Sequence, residues 1–480
     1  MFKSRIKDDN EKTNSEILFI TYIFVGLFVA LILYVVYFTA FRSDAFINNS
    51  YNSKRGELLG KRVVRGTIMS ADGQVLARTS GRADGSETRQ YPYANVFAHA
   101  VGFMSQGCMG VESISNFKLL KCSNSPTVRL KNDVDGIKNT GDTVITTFDT
   151  RLQETAYNAF GNRRGAVVVT DVKTGHILAM VSKPDFDPNM IDEIWDSVNE
   201  DSENSLLLNR ATQGLYPPGS TFKIVTALEF IRENDDTSDY EFDCTGTFEY
   251  EDVMINCYHG QNHGHMDLDL SFAKSCNSSF ANISSTLDRA SFGKTCRSLM
   301  FDEKIPCPFS YKLSSVNINR DSDSATLIQA GIGQGRTQIT PIHMNMITCA
   351  IANDGMLMEP MAVEKIKNTQ GITIRDYQPH KYRRLMSEQE AERLRELMRG
   401  VVLNGTGSRL KDTVGYEAAG KTGSAEFSTD KTKSHAWFTG FAPYDDPKIA
   451  ITVIVEGGGS GGETAVPIAR MVFDRYFEKK

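Results

Sequence analysis

The sequence predicts a mixed α/β (α+β) fold in which helices flank an antiparallel sheet, carried behind a single membrane helix. Three observations lead to this expectation. Residues 17–41 contain no charged side chain. Residues 42–148 are rich in turns and short strand-like runs. Residues 149–480 have strand-like segments near both ends and helical segments between them, which is the pattern of a sheet built from both ends of one domain.

Composition excludes several classes of protein. Hydrophobic residues make up 40% of the 480 residues and charged residues 23%, so neither a disordered chain nor a polytopic membrane protein fits. The 53 basic and 59 acidic side chains give a net charge of −6, so no nucleic-acid partner is expected. Eight cysteines are too few for a disulfide scaffold. At roughly 150 residues per domain, the length predicts about three folding units.

The uncharged run at 17–41 predicts an uncleaved membrane anchor. As a helix it would extend about 37 Å at ~1.5 Å per residue, which exceeds a hydrocarbon core of about 30 Å. A cleaved signal peptide would have a shorter apolar region and a small-residue cleavage site, and no convincing Ala-x-Ala sequence is present. A buried globular helix would have a polar face, which this run lacks.

The charges that flank the anchor predict its orientation. The flanking cations are Lys3, Arg5, Lys7 and Lys12 before the run and Arg42, Lys54 and Arg55 after it. This small excess favours a cytoplasmic tail at 1–16 and an extracytoplasmic body, so we expect a single-pass protein of the cell membrane.

Two regions follow the anchor. Residues 42–148 predict a small β-rich pedestal module, in which the runs 65–68 and 71–77 surround an Asp-Gly turn. Residues 149–480 predict the larger domain. The expected strands are one at 143–147 just before the domain, a hairpin pair at 165–170 and 176–181, and a later pair at 436–441 and 449–455. The expected helices are at 151–160, at 220–231, from the capping box of Ser387 and Glu390 onward, and at about 465–477. Polar loops are expected at 197–204 and 233–239.

Ser220 and Lys223 are the first candidates for chemistry. Pro217, Pro218 and Gly219 interrupt the chain, and an apolar helix then begins at Ser220. Residues i and i+3 share one helical face, so the amine can reach the hydroxyl. A desolvated lysine can remove the proton that makes serine a nucleophile. The same Ser-x-x-Lys spacing also begins at Ser4, Ser115, Ser271, Ser291, Ser408 and Ser428, and we interpret those copies as solvated surface coincidences.

Two further short motifs are each ambiguous alone. Ser275-Cys276-Asn277 contains the residue types that cap helices, so a plain N-cap cluster explains it equally well. Lys421-Thr422-Gly423-Ser424 precedes a predicted strand pair, but the same tripeptide forms an expected turn at 173–175.

Taken together in this order, the three motifs are the signature of penicillin-binding proteins and related serine β-lactamases. The chain resembles the monofunctional (class B) penicillin-binding D,D-transpeptidases, and its short pedestal resembles their penicillin-binding protein A branch. The pedestal is too short for a glycan-polymerising domain. Ser424 stands where the family usually has threonine and keeps the hydroxyl. The segments that carry the resemblance are 65–68, 110–113, 147–153, 166–169, 178–182, 186–189, 331–335, 405–407 and 435–443.

The resemblance implies a penicillin-binding transpeptidase or serine β-lactamase-like fold and a serine mechanism without a cofactor. Ser220 would attack the D-Ala-D-Ala carbonyl of a peptidoglycan stem peptide, and the acyl-enzyme would then react with an acceptor amine, or with water in a carboxypeptidase side reaction. β-Lactams would trap the same serine. The resemblance implies that Lys223 is the base, that Ser275 relays a proton and that Asn277 is an orienting group. It implies that Lys421, Thr422, Gly423 and Ser424 bind the terminal carboxylate. The backbone N–H groups of Ser220 and Ser424 would form the oxyanion hole.

The resemblance also implies a partner, a membrane glycan polymerase that serves cell shape, elongation, division or sporulation. Three rival functions are compatible with parts of the sequence. A β-lactam sensor needs a cytoplasmic output, and sixteen residues before the anchor are too few for one. A serine β-lactamase is usually soluble and shorter. A non-catalytic scaffold that holds the polymerase through the pedestal is compatible with catalysis.

The cysteines allow several arrangements. The nearest neighbours in sequence are Cys244 with Cys257, Cys296 with Cys307, and Cys108 with Cys122, which leaves Cys276 and Cys349 as free thiols. Connectivity cannot be derived from spacing. Cys257, His259, His263 and His265 could instead hold zinc, but their spacing matches no standard finger, so we expect no metal.

Overall fold

The computed structural model describes residues 2–42, 60, 62–81, 86–201, 203–234, 236–426 and 434–478. The chain divides into two compact units, Met1–Leu58 and Leu59–Lys480. The predicted start of the pedestal at 43–59, with Lys54 and Arg55, lies outside the described residues.

The described part of the first unit is a helix, α1 (Phe2–Tyr37), that ends in a π-helical turn at Phe38–Arg42. Its apolar part, Ile17–Tyr37, has a mean hydropathy of 2.7 and no buried side chains, and is long and apolar enough to cross a membrane. The predicted anchor at 17–41 is therefore helical, and residues 2–16 continue the same helix. The hydroxyl of Thr21 donates to the carbonyl of Ile17, so this polar group has a partner within the helix.

The strands of the second unit are short in the pedestal and longer in the main domain. They are β1 (Val63–Val64), β2 (Ile68–Met69), β3 (Val75–Gly81), β4 (Glu87–Gln90), β5 (Asn139–Thr140), β6 (Thr143–Thr146), β7 (Gly165–Asp171), β8 (Ile177–Lys183), β9 (Glu241–Cys244), β10 (Thr247–Tyr250), β11 (Val253–Asn256), β12 (Gly264–Asp267), β13 (Met356–Met358), β14 (Val363–Lys367), β15 (Thr373–Asp376), β16 (Lys381–Arg384), β17 (Ala419–Glu426), β18 (Ser434–Ala442) and β19 (Ile449–Val455).

The α-helices of this unit are α2 (Ala98–Val101), α3 (Gly110–Ile114), α4 (Asn116–Leu119), α5 (Pro126–Val134), α6 (Thr150–Phe160), α7 (Ile191–Glu200), α8 (Arg210–Gln213), α9 (Lys223–Glu233), α10 (Leu268–Ala273), α11 (Asn277–Thr286), α12 (Arg289–Ser298), α13 (Ser324–Gly331), α14 (Pro341–Ala352), α15 (Glu388–Asn404) and α16 (Val466–Phe477). Shorter 3₁₀ or π turns occur at Ala94–Phe97, Gly219–Phe222, Tyr258–Gly260, Ser408–Leu410 and Gly461–Ala465.

The main domain is organised around a five-stranded antiparallel sheet of order β17-β18-β19-β7-β8. Both of its faces are covered. Along β7, Val167 and Val169 belong to one apolar cluster with α6 and α16, while Ala166 and Val168 belong to another with α14. Successive side chains of a strand point to opposite faces, so a fully apolar strand between two helical layers buries all of them. The predicted mixed α/β architecture is confirmed.

Local sequence patterns predict several elements of this domain correctly. The hairpin predicted at 165–170 and 176–181 is β7 and β8. Ser387 and Glu390 form the predicted capping box at the start of α15. Two predicted loop boundaries were wrong, because α7 includes Ser197–Glu200 and α9 includes Glu233.

The pedestal sheet draws on both parts of the chain. Its strand order is β15-β14-β6-β2-β3-β4, and β14 pairs antiparallel with β6. Because β14 and β15 come from residues after 149, the segment 42–148 does not complete its own sheet. The pedestal and the main domain therefore share a continuous hydrogen-bonded structure.

A buried ion-pair cluster supports the pedestal. The carboxylate of Glu112 is fully buried and lies 2.6 Å from Arg65 Nε and 2.7 Å from Arg89 Nε. Burial alone would raise the pKa of Glu112, but the two guanidinium groups outweigh it and the net pKa is lowered. The carboxylate is thus held in its charged form among three elements that are distant in sequence.

Candidate active site

The three motifs lie around one cleft of about 820 Å³. The predicted site residues that line it are Ser220, Ser275, Asn277, Thr422, Gly423 and Ser424. The remaining two, Lys223 and Lys421, are fully buried, and their amines contact Ser275. The structure therefore brings all eight predicted residues together, and a cleft of this volume is in the range of ligand pockets.

Ser220 lies in a 3₁₀ turn, Gly219–Phe222, that leads directly into α9. This turn is tighter than the α-helix we expected from residue 220. Gly219 has φ +53, and a Cβ at this position would lie 2.9 Å from the carbonyl oxygen of Ser424. The absence of a side chain at Gly219 lets the backbone on the N-terminal side of Ser220 approach strand β17.

The amine of Lys223 is held by three oxygen atoms of the second motif. It donates to the carbonyl oxygen of Ser275 at 2.7 Å and to Oδ1 of Asn277 at 2.8 Å, and it lies 3.4 Å from Oγ of Ser275. Burial lowers the pKa of Lys223 to about 8, an effect only partly opposed by the nearby thiols of Cys276 and Cys257. The amine is therefore much closer to neutrality at physiological pH than an exposed lysine.

Lys421 approaches the same serine from the sheet. Its amine donates to Oγ of Ser275 at 2.8 Å and to the carbonyl oxygen of Thr422 at 3.1 Å. Burial lowers the pKa of Lys421 well below its usual value, and the charge of Lys223 lowers it further. For Lys223 itself, burial is the dominant cause of the lowered pKa.

Ser275 is held in a strained backbone conformation. Its φ is +58, in the left-handed region that non-glycine residues rarely adopt. Strain of this kind persists only where the surroundings enforce it, and here the residue links α10 to α11. The conformation allows the carbonyl oxygen and the hydroxyl of Ser275 to face the same lysine amine.

The third motif lies in β17 at the edge of the central sheet. Lys421, Thr422, Gly423 and Ser424 pair with Thr439, Phe438, Trp437 and Ala436 of β18. The hydroxyl of Thr422 forms a 2.5 Å hydrogen bond with that of Thr406. The resemblance to the family includes the segment 405–407, but Thr406 is not among the predicted site residues. Its position between two glycines was the available signal.

Comparison with known families agrees with this geometry. The penicillin-binding protein transpeptidase domain matches residues 165–474, and the penicillin-binding protein A dimerisation domain matches residues 65–144. The chain belongs to the penicillin-binding proteins. It is a class B member of the penicillin-binding protein A branch, as the sequence predicted.

Similar proteins cover nearly the whole chain. The peptidoglycan D,D-transpeptidase PbpA of Mycolicibacterium smegmatis is 32% identical over 89% of this chain and 90% of its own length. Penicillin-binding protein A of Mycobacterium tuberculosis, solved as a ceftriaxone acyl-enzyme complex, is 30% identical with a TM-score of 0.80, covering 88% of this chain and 100% of that one. The D,D-transpeptidase domain of a peptidoglycan glycosyltransferase from Eggerthella lenta has a TM-score of 0.78 at 30% identity, covering 87% and 99%.

The structure distinguishes the structural and functional interpretations of the ambiguous motifs in this penicillin-binding protein. Lys173-Thr174-Gly175 is the predicted hairpin turn, in which Oδ1 of Asp171 accepts from both N–H and hydroxyl of Thr174. The Ser275-Cys276-Asn277 motif both caps a helix and contributes to the site, because Cys276 caps α11 while its two neighbours contact Lys223. A capping interpretation and a site interpretation are therefore compatible.

The other Ser-x-x-Lys copies were only partly understood. Ser115 and Ser271 are fully buried, so our interpretation of them as solvated surface coincidences is wrong. Ser271 accepts a 2.7 Å hydrogen bond from Ser279, which is a packing role. The side chain of Ser4, and the whole of Ser428, lie outside the described residues.

The cysteine pairing guessed from sequence is not formed. All eight cysteines lie within the described residues, and none is joined in a disulfide. The sulfur atoms of Cys244 and Cys257 are 3.7 Å apart. A disulfide requires about 2.05 Å. Of the donor set we considered for zinc, Cys257 and His263 do lie together, but with Cys244 and Cys276 rather than with His259 and His265.

Proposed function

We propose that this protein is a peptidoglycan D,D-transpeptidase that cross-links stem peptides through an acyl-enzyme on Ser220 and is inhibited by β-lactams. The observation that carries the proposal is the environment of Lys223. Its buried amine lies in the next helical turn after Ser220 and is oriented by Ser275 and Asn277 beside an open cleft. A hydroxyl and a desolvated amine at one helix end form a nucleophile with its base.

The first step is attack of Oγ of Ser220 on the D-Ala-D-Ala carbonyl of the donor peptide. Neutral Lys223 accepts the hydroxyl proton, and with its pKa lowered to about 8 by burial roughly a tenth of the amines are neutral at pH 7. The tetrahedral oxyanion would be stabilised by the backbone N–H groups of Ser220 and Ser424. The close approach at Gly219 supports this pairing. Losing such a donor typically costs about 3–4 kcal/mol of transition-state stabilisation.

The second step is departure of the terminal D-Ala. Its nitrogen must gain a proton as the C–N bond breaks. Ser275 can deliver that proton because its hydroxyl lies between the amines of Lys223 and Lys421, from which it is recharged. The acceptor amine of a second stem peptide then attacks the acyl-enzyme, loses a proton by the reverse route, and leaves Ser220 free.

Substrate orientation falls to the third motif. The C-terminal carboxylate of the donor would lie against β17, where Thr422, Gly423 and Ser424 line the cleft, and would be bound by the hydroxyls of Thr422 and Ser424. Lys421 would add a positive charge there when its buried amine is protonated. The same groups would hold the carboxylate of a β-lactam, whose ring carbonyl then acylates Ser220.

We also propose how the chain is arranged across the membrane. Residues 1–16 form a cytoplasmic tail, 17–41 a membrane anchor, 42–148 a pedestal and 149–480 the transpeptidase domain on the extracytoplasmic side. The apolar helix at Ile17–Tyr37 and the two family matches support this division. The pedestal would contact a membrane glycan polymerase, which supplies the strands to be cross-linked.

Labelling of the full-length protein by a fluorescent penicillin tests the proposal. Wild type should form one covalent adduct that peptide mapping locates at Ser220, and Ser220→Ala should form none. Ser408→Ala removes the serine of an exposed Ser-x-x-Lys copy and should label as wild type does. Covalent labelling of Ser220→Ala would contradict the assignment. Rapid release of the wild-type adduct by water would instead indicate a β-lactamase.

A further inference from the structure

Four metal-ligating side chains meet next to the active site in a cluster that the proposed reaction does not use. They are Cys244, Cys257, His263 and Cys276, and their sulfur and imidazole nitrogen atoms all lie within 4.8 Å of one another. The three thiols are almost completely buried, and His263 is half-buried. Soft thiolates with one imidazole are the donors that zinc prefers.

The cluster gathers residues from three separate segments. Cys244 is the last residue of β9 and pairs with Gly264 of β12, so His263 lies beside it. Cys257 follows β11, and Cys276 is the N-cap of α11. The ends of paired strands β9 and β12, the residue that follows β11 and the start of α11 thus converge on one point through these side chains.

The spacing of the donors fits a tetrahedral zinc ion. The sulfur of Cys257 lies 3.7 Å from that of Cys244 and 3.6 Å from that of Cys276, and the sulfur of Cys244 lies 3.4 Å from Nδ1 of His263. Ligands around zinc at about 2.3 Å for sulfur and about 2.0–2.1 Å for nitrogen would be separated by about 3.8 Å for two sulfurs and about 3.6 Å for sulfur and nitrogen. Disulfide bonding would need about 2.05 Å between sulfurs.

Hydrogen-bond donors surround the sulfurs as they do in metal–thiolate sites. Sγ of Cys257 lies 3.2 Å from the hydroxyl of Ser278 and accepts from the Ser278 N–H at 3.5 Å. Sγ of Cys276 accepts from Ser279 N–H at 3.3 Å. Outer-shell donors of this kind orient ligands and stabilise the thiolate form. By contrast His265 is exposed and bonds to Asp243, and His259 is exposed.

We propose that Cys244, Cys257, His263 and Cys276 bind one zinc ion in a closed Cys₃His site. The thiols lose their protons on binding, and four protein ligands leave no position for a reacting water, so the ion is structural. Cys276 lies between Ser275 and Asn277, both of which contact Lys223. Zinc would therefore anchor the segment that orients the catalytic amine, and Cys276 would act as a positioning residue. This consequence rests on the proposed function, whereas metal binding does not.

Metal content of the full-length protein, purified in detergent without a polyhistidine tag, tests the site. Wild type should contain about one zinc ion per chain by inductively coupled plasma mass spectrometry. Cys257→Ala and His263→Gln should contain less than about a tenth of that. Cys349→Ala removes a buried cysteine from α14, far from the cluster in sequence, and should keep its zinc. His263→Gln changes a half-buried side chain, so it separates ligand loss from misfolding.

Three outcomes would overturn the proposal. The wild-type protein could lack zinc and also take up none from added zinc sulfate after its thiols are reduced. Zinc could persist in both variants, or protein taken directly from cells could contain a disulfide within the cluster. Cobalt added to zinc-free protein should give the intense visible bands of a tetrahedral thiolate site, and Cys257→Ala should not.

The positioning role has its own measurement. The rate constant for acylation by a fluorescent penicillin should fall at least tenfold in His263→Gln and stay unchanged in Cys349→Ala. In wild type treated with a chelator, added zinc sulfate should restore this rate constant. Unchanged acylation by a zinc-free His263→Gln protein would remove the coupling. Absence of labelling in wild type with full zinc would instead reject the proposed transpeptidase and leave the metal site standing.

Discussion

Oδ1 of Asn277 accepts a 2.8 Å hydrogen bond from the amine of Lys223, although the two residues are more than fifty positions apart in sequence. Asn277 is itself held, because its Nδ2 donates to the carbonyl oxygen of Asn256 at 3.1 Å. The amide therefore fixes the direction in which the buried amine points. A neutral partner does this without adding a charge that would keep the lysine protonated.

Removal of this amide should slow acylation. Asn277→Ala deletes a hydrogen bond to a buried amine, which is worth about 1.5–3 kcal/mol and corresponds to a loss of about 10- to 150-fold in rate. Asn282→Ala is the matched control, since Asn282 lies in the same helix but bonds to Tyr240. Second-order acylation by a fluorescent penicillin measures both. Equal rates for the two variants would show that the contact has no role.

The acylation rate should increase with pH. Burial lowers the pKa of Lys223 to about 8, and only the neutral amine accepts a proton, so the rate rises about tenfold per pH unit below about pH 8 and levels off above it. In Asn277→Asp the added carboxylate raises the pKa of the amine, and the profile should move to higher pH. Lys223→Arg should be inactive because a guanidinium stays protonated. A wild-type profile without any such rise would exclude Lys223 as the base.

The buried carboxylate of Glu112 should be essential for the stability of the pedestal. Glu112→Gln leaves Arg65 and Arg89 buried without a counter-charge, and breaking a buried pair in this way costs about 3–5 kcal/mol. The exposed pair of Lys138 with Glu87 provides the control, because Glu87→Gln should change the free energy of unfolding by less than about 1 kcal/mol. Thermal unfolding compares the two, and similar shifts in Tm would contradict the assignment.

The same residue predicts a sign for pH dependence. The net pKa of Glu112 is lowered in the folded protein, so the folded state binds this proton less readily than the unfolded state. Its stabilising contribution is present above the ordinary carboxyl pKa and is lost as the pH falls through the folded value. Tm should therefore fall less steeply with acidification in Glu112→Gln than in wild type.

A close backbone contact should make Gly333 intolerant of any side chain. Its φ is +74, and a Cβ there would lie 2.0 Å from the carbonyl oxygen of Gly219, next to Ser220. Gly333→Ala must displace this turn, so acylation should fall at least tenfold. Gly371 has a similar φ of +80 with nothing within 4 Å. Gly371→Ala should therefore pay only the conformational cost of about 1–2 kcal/mol and keep wild-type acylation. Loss of acylation in both variants would show that the positive φ, and not the close contact with Gly219, causes the effect.

Several features were readable from sequence because short-range rules govern them. The apolar helix at Ile17–Tyr37 follows from an uncharged run, and the hairpin of β7 and β8 follows from two apolar runs around Lys173-Thr174-Gly175. The start of α15 follows from Ser387 and Glu390. The motif order also identified the family. Each of these signals depends on residues within one segment, where periodicity, turn chemistry or capping is sufficient.

Other features were decided only by the tertiary structure. No local pattern indicates that β14 completes the pedestal sheet, that Ser115 and Ser271 are buried, or that Cys244 and Cys276 join Cys257 and His263. Strand partners and side-chain neighbours depend on which distant surfaces pack together, and many pairings are compatible with one local sequence. The lowered pKa of Lys223 belongs to the same class, since desolvation is a property of the surrounding fold and not of the lysine.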